Sequence, residues 1–263
     1  MIQHEKKARL AGDYSGAQRR KNLPLVFEGM RKNRIGEIAD VLIINDASTD
    51  RTAQIAKQNG AVCISFIFNL GYGNALQMGY KYAAENGYRF LIQIDADTQH
   101  DPSNIPILYR ALKTPDEEGL LPDIVLGSRF MKGSGAYNPG GLKKIGFIWF
   151  GTLVRLFGGG ELADATTGLQ GLGRRAFSRY ARFENFDANY PDANMILEMK
   201  LYGYRVLQVP AVMHTRKSGE GMHTGLWKPA KYMVRSTIAI IVAKMRGLSY
   251  NYEKKHKNTA GRN

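Results

Sequence analysis

Cysteine is nearly missing from this chain: Cys63 is the single one among 263 residues. No internal disulfide can form, and nothing argues for an oxidising compartment. Cys63 falls in the apolar run AVCISFIF, where a small thiol serves as a core filler. Long hydrophobic runs are lacking too. No stretch reaches the ~18 to 20 uninterrupted apolar residues of a membrane-spanning helix. The nearest, IGFIWFGTLVRLFG and STIAIIVAKM, are too short or carry charge. The opening MIQHEKKARLAGDYSG has no continuous apolar core and does not read as a secretory signal. Acidic residues are few relative to basic ones, 23 against 37, for a formal net charge of +14. That balance points to an anionic partner, whether nucleic acid, an anionic lipid surface or a phosphorylated substrate, with plain solubility as the alternative.

From residue 22 onward the hydrophobic pattern alternates. NLPLVFEGMRKN reads as a helix and DVLIIND as a strand with an acidic end. STDRTAQIAKQNG is a helix with a Ser/Thr/Asp start and a Gly stop, followed by the strand AVCISFIFN. LGYGNALQMGYKYAAENG is a Gly-led helix, YRFLIQIDAD a third strand, DPSNIPILYRALK a helix and DIVLGSRF a fourth strand. Alternation of this kind predicts an α/β fold with a mostly parallel sheet flanked by helices. Ligands of such sheets bind beyond the carboxyl ends of the strands. Asp46, Asp95, Asp97 and Arg129 all fall at those ends.

The second half changes character. GLKKIGFIWFGTLVRLFGG fits a helix that is apolar almost all round, with Lys143, Lys144 and Arg155 on one narrow stripe. It reads either as a core helix with a solvated edge or as a helix lying in a membrane interface. LWKPAKYMVRSTIAIIVAKMR repeats the theme, with Lys228, Lys231, Arg235 and Arg246 on one side. Residues 249–263 read as a basic, disordered tail after a domain spanning 22–248.

The sharpest motif is IQIDADTQHDP, residues 92–102. Two carboxylates flank one residue at the end of a buried strand. They repel each other unless a cation neutralises them. Oxygen ligands favour Mg²⁺ or Mn²⁺, ions that often complete their shell with substrate phosphates. A bare Asp-x-Asp is common; placed after an apolar strand and before Gln-His-Asp-Pro it is far more specific. In VLIINDASTD, Asp46 stands at a strand end, where a carboxylate can accept a nucleobase N–H, while Asp50 reads as a helix cap. NLGYGNALQMGY lacks the GK[ST] of a P-loop, so its glycines read as structural, letting the helix approach a nucleotide closely.

In order along the chain come NDASTD, NLGYGNALQMGY, DADTQHDP, GSRF, DATTGLQGLGRRAF, YPDANM and RKSGEGMHTGLWKP. Together, over residues 22–246, they resemble the family-2 glycosyltransferases of GT-A fold, in the branch of dolichyl-phosphate mannosyltransferase and bacterial polyprenyl-phosphate glycosyltransferases. The resemblance implies a metal-dependent, inverting transfer of sugar from a UDP- or GDP-sugar to a polyprenyl phosphate. By motif, Asp46 would contact the base, and Asp95, Asp97 and Gln99 would hold Mg²⁺ or Mn²⁺ and the diphosphate. Arg129 and Arg216 would meet phosphate. Asp192 stands where relatives keep the general base, or it is a helix N-cap after Pro191. The family often has Phe-Arg after the Thr-Gly of this motif; Leu169-Gln170 here removes a cation. The implied place is cytoplasmic, peripheral on the inner face of the membrane, reached through the anionic surface or through a membrane-protein partner. Nucleic acid is disfavoured, because the strand-end carboxylates would repel it. Another acceptor, or a catalytically impaired member acting as a binding or scaffold protein, stays open.

Relatives also open with an apolar strand just before the first helix. Here that position holds GDYSGAQRR, which by composition is no buried strand. The expectation is therefore a sheet without its usual first strand and a segment 1–21 that is disordered or out of frame. Shifting permitted codons by one base indeed turns GDYSGAQRR into VIIPAHNEE.

Overall fold

The computed structural model describes residues 8–13, 22–95, 97–189, 191–214 and 227–260. In chain order the elements are β1 (Ala8–Asp13), α1 (Leu23–Lys32), β2 (Ala39–Asn45), α2 (Thr52–Gln58), β3 (Val62–Ser65), α3 (Tyr72–Glu85), β4 (Phe90–Gln93) and α4 (Asn104–Lys113). They continue with β5 (Ile124–Ser128), α5 (Gly141–Val154), β6 (Gln170–Gly173), α6 (Arg174–Tyr180), α7 (Ala193–Leu201), β7 (Val206–Pro210) and α8 (Trp227–Ala260). The described strands form one seven-stranded sheet in the order β3-β2-β1-β4-β6-β5-β7. All neighbours are parallel except β6, which runs against both β4 and β5.

Successive strand residues point to opposite faces, and the core follows that rule. Leu91, Ile124 and Leu126 pack with α3, α6 and α7, while Ile92 and Val125 pack with α1 and α4 on the other side. A strand covered on both faces can be apolar throughout, as FLIQ and IVLGS nearly are. α1 starts with Pro24 in its first turn, where a missing N–H costs nothing. It buries Leu23, Val26, Phe27 and Met30, a single helical stripe.

Two expectations need correcting. The sheet does not lack its first strand: β1 lies between β2 and β4, with Ala8 to Asp13 in register with Ala39 to Ile44. The polar composition of GDYSGAQRR belongs to residues 12–20, whereas the strand occupies 8–13. An interior parallel strand is held by backbone hydrogen bonds on both edges, which these non-proline residues supply. Residues 14–21 lie outside the described residues. With the slot filled, the vacancy that suggested a frame slip is gone. The second correction is at the other end, where α8 continues to Ala260 through most of the segment read as a disordered tail.

α8 buries Ser236, Ile240, Ala243 and Gly247 on one side. A Cβ at 247 would stand 2.5 Å from the Leu201 side chain, so glycine lets α8 close on α7. Arg246 reaches Glu198 of α7 at 3.6 Å, and Lys244 donates to the Phe157 carbonyl at 2.9 Å.

Candidate active site

The carboxyl ends of β2, β4 and β5 converge, as the alternating pattern predicted, and they bring Asp46, Asp95, Asp97 and Arg129 to one edge of the sheet. Asp95 is partly exposed. Its Oδ1 accepts the Tyr72 hydroxyl at 3.1 Å, and its backbone N–H donates to His100 Nδ1 at 2.9 Å. The other oxygen faces Gly168 so closely that a Cβ there would stand 3.0 Å from it. Asp97 is buried, and its Oδ1 accepts the Gln99 N–H at 3.0 Å, which turns the loop through Thr98 at φ +66°.

Behind this pair runs a buried polar chain that sequence reasoning missed. Tyr80 donates to Gln93 Oε1 at 2.5 Å; Gln93 Nε2 donates to the Gly168 carbonyl at 3.0 Å and to the Tyr72 oxygen at 3.3 Å. Tyr72 then passes its own hydrogen to Asp95. The single signal was Gln93 itself, a polar residue within the apolar strand FLIQ. Buried amides keep their partners at a high penalty for loss, so this chain fixes where Asp95 points.

The loop 97–101 is zipped to 211–214. His214 N–H donates to the Gln99 carbonyl at 2.8 Å, and its ring meets Asp101 Oδ2 at 2.7 Å. Burial works against the Asp101 anion, yet hydrogen bonds from His214 and Ser103 leave its carboxyl below the usual range.

At three of the positions singled out in the sequence the structure shows protein partners. Asp46 is buried, and its two oxygens accept the N–H groups of Leu70 and Gly71 at 2.7 and 2.9 Å. It ties β2 to the start of α3. Arg129 is engaged by Asp164 in a bidentate pair, with Nε and Nη2 each 2.6 Å from a carboxylate oxygen. Its guanidinium lies 4.4 Å from the Phe147 ring centroid and 3.0 Å from Thr166 Oγ1. Nε and Nη2 of this fork are thus committed to protein partners. The close approach at Gly73 is to protein: a Cβ there would stand 2.0 Å from the Ala188 carbonyl oxygen. Asp50, one residue before the N-cap Arg51 of α2, accepts the Thr52 N–H at 2.9 Å. Arg216 lies outside the described residues.

Asp192 precedes α7 but makes no capping bond to it. Its Oδ2 accepts the hydroxyl of Tyr232 from α8. Burial raises its pKa to about 6, against the opposing pull of the Tyr232 hydrogen bond and the Arg129 charge.

Asp95 and Asp97 offer hard oxygen ligands. Among the described residues no group of three His, Cys, Asp or Glu is arranged to hold a metal. Two carboxylates without a full protein cage suit Mg²⁺ or Mn²⁺, ions that keep places for water and phosphate. The residues present fit such an ion, with Gln99 in the adjoining loop.

The model of the family described as glycosyl transferase family 2 matches residues 18–181. The chain belongs to that family. It is a nucleotide-sugar-dependent glycosyltransferase of the hexosyltransferase type. This family-2 glycosyltransferase is 31% identical over 224 residues to an undecaprenyl-phosphate mannosyltransferase of Micrococcus luteus, covering 78% of the chain and 83% of the relative. It is 27% identical over 209 residues to the low-salt glycan biosynthesis hexosyltransferase Agl6 of Haloferax volcanii, covering 75% of this chain and 46% of that one. Among solved structures it is similar to glucosyl-3-phosphoglycerate synthase from Mycobacterium tuberculosis in complex with Mn²⁺, UDP and glucosyl-3-phosphoglycerate. The TM-score is 0.62 at 15% identity, covering 91% of this chain and 80% of that one. The fold is therefore GT-A, as the motif order implied.

Proposed function

We propose that this glycosyltransferase moves a sugar, with inversion, from a nucleotide sugar to a polyprenyl phosphate, using Mg²⁺ or Mn²⁺ held by Asp95 and Asp97 with help from Gln99. The observation that carries the reading is the carboxylate pair after β4, with Asp95 braced by Tyr72 and through it by Gln93, and Asp97 held by the Gln99 N–H. The undecaprenyl-phosphate mannosyltransferase of Micrococcus luteus supports the acceptor class. When bound, the ion supplies positive charge opposite the departing diphosphate. The acceptor oxygen bonds to the anomeric carbon as the bond to the diphosphate breaks, and that electron pair leaves with the diphosphate. Any proton on the acceptor passes to Asp192. A lipid phosphate is already largely ionised near neutral pH, so positioning carries much of the step. The reading of the chain as an impaired scaffold rested on the missing strand, and with β1 in place no observation favours it.

The test is transfer itself. The protein is incubated with Mn²⁺, undecaprenyl phosphate and labelled GDP-mannose or UDP-glucose, and the lipid is extracted. Label in the organic phase supports the reading. Donor consumption without a lipid product moves the acceptor elsewhere, and the absence of both sinks it.

A lipid acceptor requires work at a membrane surface. Among the described residues no helix is long and apolar enough to cross a membrane. Instead α8 exposes Val234, Ile238, Ile241, Met245, Leu248 and Tyr252, spaced alternately by four and three residues along one stripe. α5 exposes Ile145, Ile148 and Trp149 beside it, with Trp149 Nε1 donating to Thr237 at 3.0 Å. Lys143, Lys144, Lys231 and Arg235 are exposed on these helices, and the sequence carries no acidic residue from 136 to 160 or from 227 to 252. Each such cation contributes about 1 kcal/mol of attraction near an anionic leaflet. The protein should float with vesicles rich in phosphatidylglycerol at low salt and leave them at high salt. Remaining in the soluble fraction at low salt would count against membrane attachment.

A further inference from the structure

We infer that Tyr232 is a positioning residue for the transfer step: it donates its phenolic hydrogen to Oδ2 of Asp192 and so fixes the carboxylate that receives the acceptor's proton. This rests on the reading of Asp192 as that proton acceptor. Asp192 occupies the residue before α7, where a carboxylate ordinarily turns back to cap the helix. Here it also reaches across to Tyr232 of α8, besides the Ala193 N–H that helps hold its charge. Its turn is held from below: the Asp192 N–H donates to Asn194 Oδ1 at 3.0 Å, and Asn194 Nδ2 donates to Asp187 Oδ2 at 3.1 Å. The phenol ring is held as well, edge to face against Phe150 of α5, with centroids 5.8 Å apart at 85°. Both partners of the hydrogen bond are thus set by separate packing contacts, one on α7 and one between α5 and α8.

The chemistry of the pair fits the role. Burial and the neighbouring carboxylate both push the Tyr232 phenol well above its usual pKa, so it remains a donor across the working pH range. A phenol that never ionises cannot take the proton itself. It holds Oδ2 in place. The charged and titratable groups around Asp192 are Tyr232 from α8, Arg129 from the end of β5 and Asp164 from the loop before β6. Arg129 is bound to Asp164, and Tyr232 supplies the direct hydrogen bond.

The experiment compares wild type, Tyr232→Phe and Asp192→Asn in Mn²⁺-dependent transfer to undecaprenyl phosphate across pH 5 to 9. Phe keeps the ring against Phe150 and deletes only the hydroxyl. A UDP and Mn²⁺ thermal shift checks that each variant folds and holds nucleotide. Wild type should lose activity as pH falls through about 6, where Asp192 takes up a proton. Tyr232→Phe should lower kcat about tenfold or more, a part of the ~10²–10⁴-fold that a general base contributes, with KM for the nucleotide sugar unchanged. Its acidic limb should move to higher pH, because the lost hydrogen bond favoured the ionised carboxylate. Asp192→Asn should lose that limb altogether, leaving only the titration of the acceptor phosphate. If Asp192→Asn is impaired but Tyr232→Phe leaves the limb in place, Tyr232 has no positioning role, whatever happens to kcat. If Asp192→Asn keeps the wild-type rate and profile, the base reading fails and the role of Tyr232 falls with it.

Discussion

Asp97→Asn should cut Mn²⁺-dependent sugar transfer by about 10²–10³-fold, the range seen when one preorganised electrostatic contact to a reacting group is removed. The substitution is almost isosteric. Asn keeps an Oδ1 that can accept the Gln99 N–H, now 3.0 Å from the Asp97 carboxylate, so the loop should hold its shape. What disappears is one of the two negative charges proposed to attract the cation. Steady-state rates at rising Mn²⁺ would show a weaker apparent metal affinity along with the lower ceiling, while the thermal midpoint without metal stays close to wild type. An undiminished rate at saturating Mn²⁺ would remove Asp97 from the metal site, and the proposed role of the carboxylate pair would go with it.

Asp164→Ala should destabilise the fold by about 3–5 kcal/mol, the cost of leaving a buried charge without its partner. Arg129 has only 12% of its side chain exposed and Asp164 only 1%, so water cannot replace the lost contact. The carboxylate also accepts the Arg129 backbone N–H at 3.1 Å, and its loss loosens the turn after β5 as well. Urea unfolding gives the number. The companion variant, Arg129→Met with Asp164→Leu, should be less damaging than the single change, because replacing both buried charges with apolar groups is often neutral. By contrast Glu28→Ala, which breaks the exposed Lys32–Glu28 pair, should leave the urea midpoint almost unmoved, since water screens both charges. If Asp164→Ala is as mild as that surface change, the pair is not what holds this edge of the sheet.

The elements of the first half were legible because each carried its own periodicity and punctuation. Val26, Phe27 and Met30 form a helical stripe, and Leu91 and Ile92 sit in an unbroken apolar run. Asp95 and Asp97 drew notice because two carboxylates crowded at the end of such a run are costly unless a cation offsets them, and their place after β4 follows from the strand pattern. What local pattern could not reveal were long-range partners. Asp46 and Arg129 were placed correctly at strand ends, but their partners, the Leu70 and Gly71 amides and Asp164, lie 24 to 35 residues away. Nothing local distinguishes a carboxylate awaiting a ligand from one already satisfied. Tyr232 is 40 residues from Asp192 on a helix whose pattern advertises only its apolar faces. β1 was overlooked because an interior strand can be secured by its backbone, which composition does not report.

The reversed direction of β6 has a consequence for how this edge can change. Gln170 opens the strand opposite Gln93, the last residue of β4. A strand running with its neighbours would have sent its exit turn to this edge. β6 sends its entry loop instead, and that loop brings Asp164 and Thr166 to Arg129 and Gly168 to Asp95. The edge is thus assembled from two kinds of segment: turns that launch helices after β2 and β4, and an approach that ends where a strand begins. A turn that launches a helix cannot vary without disturbing that helix. The approach to β6 is anchored mainly by Thr167, whose hydroxyl donates to the Gly127 carbonyl at 2.7 Å, and by the Asp164 pair. Between those anchors Ala165 is buried in the core and Thr166 meets Arg129, so the whole approach is tied to the Arg129 edge and can shift only together with it.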